Sequence, residues 1–264
     1  LYPEDKEIKM TILPKYTKKL ISICAEKSFS MLPLGEVGPW PIWLIRTQIK
    51  ETSKKKRVLV VAGFHGEEKA GPWAILKWLE SFTGYPGMDI SIIPVVNPTA
   101  FNKYVRYNTW NQKSNCGFCH DQEEPSEEGK ILLKHINRLH SLSMDGFLSL
   151  HEDIELRKEY YLYIFEPTSD PGQFTCGLLE ELALWWEKPL NGASAADSGL
   201  KTPPFAVNGL VYKYCDGSFE DYLFHKGVNR VAVTETPGKA KLEKRIDCNV
   251  AIINKFLDLI KRSV

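Results

Sequence analysis

With 264 residues, 43% apolar and 25% charged, the chain has the make-up of a globular protein and not of a disordered, fibrous or membrane-spanning one. A formal charge of +1 provides no bulk attraction to nucleic acid or to an anionic membrane. No apolar run reaches the roughly 18–20 residues that span a bilayer. Six cysteines in a chain of this size do not form a disulfide framework, and no signal-peptide core is visible, so a reducing cytoplasm is the expected setting. A chain opening on Leu1 leaves room for a removed leader.

Residues 1–38 read as a helical or irregular lead-in, and residues 39–46 as a strand entering from a proline-rich turn. Lys54, Lys55, Lys56 and Arg57 suit a solvated hairpin turn before a buried strand over 58–62. Trp73, Ile75, Leu76, Trp78 and Leu79 recur at helical spacing, which predicts a helix over 71–82 packed on a sheet. A second buried strand covers 90–96. Residues 102–125 form a long, polar, cysteine-containing loop, and loops of that length more often carry function than structure. An amphipathic helix over 131–142 precedes a strand over 146–150, a further strand over 160–165 and a helix over 177–186. A short strand over 231–234 and a helix over 247–261 close the chain. Strands alternating with helices, without a linker, predict one α/β domain over 1–264, with a central mixed, largely parallel sheet flanked by helices on both faces.

Three of these strands end in residues able to do chemistry, where ligands and metals tend to sit in such sheets. The strand over 58–62 stops at Gly63 and delivers His65-Gly-Glu-Glu68. The strand over 146–150 runs into His151, followed by Glu152 and Asp153, read here as solvated loop acids. The third runs into Glu235. Two histidines and a carboxylate are the ligands of a catalytic zinc site that keeps one position for water. Such a site still needs a carboxylate off the metal to take a proton from that water, and Glu235 is the candidate. Glu67 is a competing ligand to Glu68.

In this order and spacing the residues resemble the zinc metallocarboxypeptidase family and its aspartoacylase and succinylglutamate desuccinylase relatives. The resemblance runs from about Val58 to Pro237 as ordered landmarks. It implies one zinc on His65, Glu68 and His151, with Glu235 as general base. It also implies hydrolysis of an amide bond in a small peptide or, alternatively, in an N-acyl amino acid. Asn97-Pro98, then Arg106-Tyr-Asn108, then Asn115 follow the family's next landmarks. In that register Arg106 stabilises the oxyanion and Asn115 helps hold a terminal carboxylate. The arginine that partners this asparagine in the family falls on Cys116, which cannot make a bidentate grip, so the implied specificity is atypical. Tyr212, or in another register Tyr214, falls on the tyrosine that closes over substrate; Phe219 and Glu220 fall near the specificity pocket. Retention of both histidines and both glutamates argues against a non-catalytic binding module on the same fold.

Cys116-Gly-Phe-Cys119-His120 also has the form of a c-type haem attachment site. Without an export signal, free thiols are the expectation, with a local disulfide or a second metal site as alternatives. Trp185 and Trp186 read as core, and His135 and His140 as residues of the helix surface.

Overall fold

The computed structural model describes residues 12–47, 55–119, 124–194 and 203–263, so Lys54 and His120 lie outside the described residues. The chain opens with α1 (Ile12–Glu26), then the hairpin β1 (Ser30–Val37) and β2 (Trp40–Arg46). Next come β3 (Lys56–Ala62), α2 (Ala70–Ser81), β4 (Met88–Ile93) and the single turn α3 (Pro98–Phe101). The helices α4 (Glu127–Lys134) and α5 (Ile136–Ser143) lead into β5 (Gly146–Asp153), β6 (Glu159–Phe165), α6 (Gln173–Trp185) and β7 (Lys188–Pro189). The last elements are β8 (Leu210–Tyr212), α7 (Phe219–His225), β9 (Val231–Pro237) and α8 (Leu242–Arg262).

Among the described residues the strands form one nine-stranded mixed sheet in the order β1-β2-β4-β3-β5-β9-β6-β7, with β8 also on β6. The centre is parallel: β4, β3, β5 and β9 pair in the same direction, while β1 and β2 run against their neighbours and β6, with β7 and β8 parallel to it, runs against β9. Period-two alternation sends the two faces of each central strand to different helix layers. Val58, Val60 and Ala62 of β3, with Leu148 and Leu150 of β5, pack beneath α1, α2, α6 and α8. Leu59 and Val61, with Phe147 and Val231, pack beneath α4, α5 and α7. Each valine, leucine or phenylalanine among them contributes about 1.5–3 kcal/mol on leaving water, so both layers are firmly seated. None of the described helices is long and apolar enough to cross a membrane.

The lead-in is more ordered than the sequence suggests. Residues 12–26 are helical, and residues 30–37 form an edge strand whose register shifts between Pro33 and Gly35. Edge strands tolerate proline because one row of backbone groups faces solvent. The lysine-rich segment is not a hairpin turn: β2 pairs with β1 and β4, and β3 already begins at Lys56. The expected helix over 131–142 is two helices that meet at His135, whose Nε2 lies 2.7 Å from the Leu34 carbonyl. Trp186 is core, its indole donating to Cys248 Sγ at 3.2 Å.

Candidate metal centre

The site lies at the carboxyl ends of β3, β5 and β9, and its first part is the turn after β3. Gly63, at φ +71°, ends the strand in the left-handed region that glycine favours. Gly66 presses on α3: a Cβ there would lie 2.1 Å from the Ala100 carbonyl carbon, so only glycine lets this turn seat. Asn97, fully buried, fastens the turn from the other side. Its Oδ1 accepts from the Ala100 amide at 3.0 Å, and its Nδ2 reaches the Phe64 carbonyl at 3.4 Å and Ser114 Oγ at 2.5 Å. His65 and Glu68 therefore project from a turn locked at both ends.

His151 comes from within β5 and not from beyond it. Alternation along the strand sends it to the same face as Phe147, and Phe64 stacks on its ring at 5.8 Å and 11°. Ligand atoms of His65, Glu68 and His151 all lie within 4.8 Å of one another. Nδ1 of His65 is 2.5 Å from Glu68 Oε1, and Nδ1 of His151 is 2.9 Å from Glu68 Oε2. Oε2 is buried and yet in no aligned hydrogen bond. A buried carboxylate oxygen in that position is costly without a cation, and two imidazoles with one carboxylate match a divalent metal site.

The electrostatics agree. Burial lowers the pKa of His65, with Arg106 and His151 adding to the effect against the pull of Glu68, so its ring is held neutral. For His151 burial also acts to lower the pKa, but Glu68, Glu220 and Glu235 outweigh it and favour positive charge on the ring. Burial would raise Glu68, yet the two imidazoles hold it well below the usual carboxylate range. Negative charge is in surplus here.

Glu235 is the direct partner of His151 in the β5–β9 ladder and of Tyr161 in β6, so all three side chains share one face. It is half-buried within β9, and its charge is felt by both His151 and Arg106. Arg106 sits across the site, its Nη1 3.2 Å from Glu67 Oε1 and 3.7 Å from Glu68 Oε1. Glu67 is thus an anchor for Arg106. A cavity of about 290 Å³ opens beside Arg106, lined among others by Thr99, Lys103, Tyr107 and Asn108. Asn108 keeps this wall in shape by donating to Glu128 Oε2 at 2.9 Å and accepting from the amides of Trp110 and Gln112.

The other expected residues lie on neighbouring loops and strands. Asn115 donates to Glu220 Oε2 at 2.9 Å and accepts from the Phe219 amide at 3.1 Å, joining its loop to the start of α7. The neighbouring Cys116 has its Sγ 3.6 Å from the Lys113 carbonyl. Tyr212 lies in β8 opposite Ile164, level with Ala232 and three residues short of Glu235 along β9. Its hydroxyl donates to the Thr168 carbonyl at 2.9 Å. Tyr214 packs on Tyr163, on the face shared with Tyr161.

Glu152 and Asp153 are not solvated. Glu152, on the opposite face from His151, accepts from the Ala70 amide at 2.7 Å and pairs with Arg245 at 2.5 Å. Asp153 is buried against Tyr161 and Ser194. Glu220, expected near the pocket, also stands against His151, which the sequence does not signal: it is 1% exposed, with Oε1 3.4 Å from His151 Nε2. The sequence does show Ser218, which caps α7 by accepting from the Asp221 amide and so brings Glu220 into the first turn.

Comparison with known proteins agrees with this fold. The profile of the succinylglutamate desuccinylase/aspartoacylase catalytic domain matches residues 54–174. A candidate metallopeptidase from Shewanella denitrificans OS217 is 31% identical, with 93% of this chain and 89% of that one covered and a TM-score of 0.83. A second, from Shewanella baltica OS155, is 32% identical over 94% of this chain and 92% of that one, at a TM-score of 0.84. A metallo-carboxypeptidase from Burkholderia cenocepacia, 17% identical, shares the fold at a TM-score of 0.70, with 95% of this chain and 70% of that one covered. A comparison with curated proteins gives no match.

Proposed function

This chain belongs to the metallocarboxypeptidase family that takes in the succinylglutamate desuccinylases and aspartoacylases, and we propose that it is a zinc-dependent hydrolase of amide bonds. The observation that carries the reading is the meeting of His65, Glu68 and His151 within 4.8 Å, with Glu235 in direct register beside His151. We place zinc on those three residues, one ion per chain, with the sheet and its two helix layers acting as one catalytic domain. A zinc ion held so supplies Lewis acidity toward a water molecule and a carbonyl oxygen.

The chain's own residues do the rest. Glu235 accepts a proton from the attacking water and returns it to the leaving amine nitrogen, as a half-buried carboxylate beside the metal ligands can. Arg106, charged and held by Glu67 and Glu68, faces the negative charge that develops on the carbonyl oxygen. Glu220 holds the far side of the His151 ring.

The substrate we favour is a peptide, cleaved with atypical specificity, because Cys116 stands where a carboxylate-gripping arginine is expected. A second reading, deacylation of an N-acyl amino acid, is favoured by the match over residues 54–174, which spans His65, Glu68, Arg106, Asn115 and His151. The test has two parts. Metal analysis should find about one zinc per chain, and a mixed panel of peptides and N-acyl amino acids should show hydrolysis that Glu235→Gln abolishes without loss of zinc. Purified protein that takes up no metal, or a Glu235→Gln variant of undiminished activity, would overturn the reading.

A further inference from the structure

A separate cluster of metal-ligating side chains lies on the outer side of α7. Cys215, on the loop before the helix, and Asp221 and His225, one turn apart on it, have ligand atoms within 4.8 Å of one another. The three differ in exposure in a telling way. Cys215 and His225 are open to solvent, whereas Asp221 is 2% exposed. Its Oδ2 accepts from the Gly217 amide at 2.9 Å, which fixes the plane of the carboxylate. Its Oδ1 is buried and in no aligned hydrogen bond, although His225 Nδ1 is 2.8 Å away. That imidazole nitrogen is also 2.9 Å from the Asp221 carbonyl, the partner a helical histidine finds four residues back.

Beside His225 and the Gly217 amide, the carboxylate meets the Cys215 thiol, a weak donor. A carboxylate oxygen removed from water needs a donor or a cation, and an exposed histidine offers a positive charge only when protonated. A bound cation satisfies Oδ1 at any neutral pH. The loops are braced for it: the Phe118 amide donates to the Gly217 carbonyl at 3.2 Å, tying the cysteine loop to the segment carrying Cys215. We infer that Cys215, Asp221 and His225 form a second cation site, distinct from the His65–Glu68–His151 centre and suited to a borderline-soft divalent ion such as Zn²⁺. One thiolate, one imidazole and one carboxylate, with a fourth position open to water, are ligands that zinc accepts. Burial, then Asp221 and Asp216, pushes the Cys215 thiol up to about 11. Binding therefore displaces the Sγ proton to solvent, and affinity rises with pH.

The site can be tested without reference to hydrolysis, because only the outer cluster contains sulfur. Cobalt(II) added to reduced protein first stripped of metal should produce a thiolate-to-cobalt charge-transfer band in the near ultraviolet, saturating with one equivalent beyond what the inner centre takes up. Cys215→Ser should abolish the band. His225→Ala, at an exposed position that leaves the fold intact, should remove it at stoichiometric cobalt. A wild-type protein without the band overturns the inference. So does a band that survives Cys215→Ser, which would place the metal on other cysteines, or a thiol count showing Cys215 oxidised to a disulfide. If the inner centre held no zinc, the band would still report on the outer one, so the two readings fail separately.

Discussion

Nε2 of His151 lies 3.4 Å from Oε1 of Glu220, while Nδ1 of the same ring is 2.9 Å from Oε2 of Glu68. A carboxylate thus stands on each side of the imidazole, and a proton on Nε2, toward Glu220, would leave the Nδ1 lone pair for a metal. Glu220 is itself held by Asn115, so its position does not depend on solvent. Carboxylates that orient a ligating histidine commonly account for about 10–100-fold in metal affinity. Glu220→Gln should weaken metal binding by that factor in competition with a chelator, with the fold intact by circular dichroism. Unchanged affinity would mean that the contact with His151 is packing alone.

Arg106 is half-exposed but not mobile by design: Glu67 and Glu68 stand on one side of it, and the cavity wall on the other. Burial would lower its pKa, but the charges of Glu68, Glu67 and Glu235 raise it further, so it remains a cation throughout the useful pH range. If it meets charge that develops only in the transition state, Arg106→Ala should lower kcat by about 10²–10³-fold with little change in KM. Arg106→Lys should recover only part, because an ammonium cannot keep two carboxylate contacts and face the oxyanion in the same geometry. A rise in KM alone would assign Arg106 to ground-state binding instead.

The residues legible in the sequence are those whose local pattern and tertiary role coincide. The β-branched run before Gly63, the apolar spacing of α2 and the strand into His151 each identify an element and its buried face. The elements missed are those that tertiary contacts impose. Ser30–Val37 contains Pro33 and Gly35, poor strand formers, and is a strand because β2 offers it an edge. The break at His135 is hidden because the apolar spacing continues from Leu132 to Leu139 across it. Glu152 and Asp153 look like loop acids until Arg245 and Tyr161 arrive from 93 and 8 residues away. Glu220 likewise sits among ordinary capping residues, and only β5 and the Asn115 loop reveal what it faces.

The Glu152–Arg245 pair ties the floor of the site to α8. Glu152 accepts from Ala70, the first residue of α2, two residues past Glu68, and Arg245 closes the pair from the first turn of α8. Burial pushes the Glu152 pKa up and Arg245 pulls against it, so the carboxylate owes its charge to that partner. Removing one member of a buried pair costs about 3–5 kcal/mol because the other charge is left alone. Arg245→Met should therefore lower stability by about that amount in urea unfolding. Adding Glu152→Gln should recover part of it, since an amide oxygen still accepts from Ala70 and carries no charge. A double variant as unstable as the sum of the single ones would show that the two residues do not act as a pair.

Tyr16 makes the fold sensitive to alkali. Its hydroxyl donates to the Pro72 carbonyl at 2.8 Å, and its ring meets Trp73 and Phe101 edge-on at 5.2 and 5.3 Å, so one side chain joins α1 to α2 and α3. Burial first, and Cys24 second, raises its pKa well above the usual 10.0, and burial raises Cys24 from 9.0 to about 11. Both groups are thus favoured in the neutral form by folding. Their contribution is fully present below the pKa values of the unfolded chain. It is lost as pH rises from there through the folded values, because the unfolded chain gives up protons that the native state keeps. Tyr16→Phe removes one hydrogen bond and should cost about 1 kcal/mol at neutral pH. Above about pH 10 only the wild type carries a tyrosine at this position that ionises on unfolding, so it should lose stability faster and the gap should narrow. Urea midpoints for the two proteins at about pH 7.5, 9, 10 and 11 measure this, with the titrations they share cancelling in the difference. A gap that stays constant to the most alkaline point would mean that Tyr16 titrates alike in the folded and unfolded chain, and that another group sets the alkaline limit.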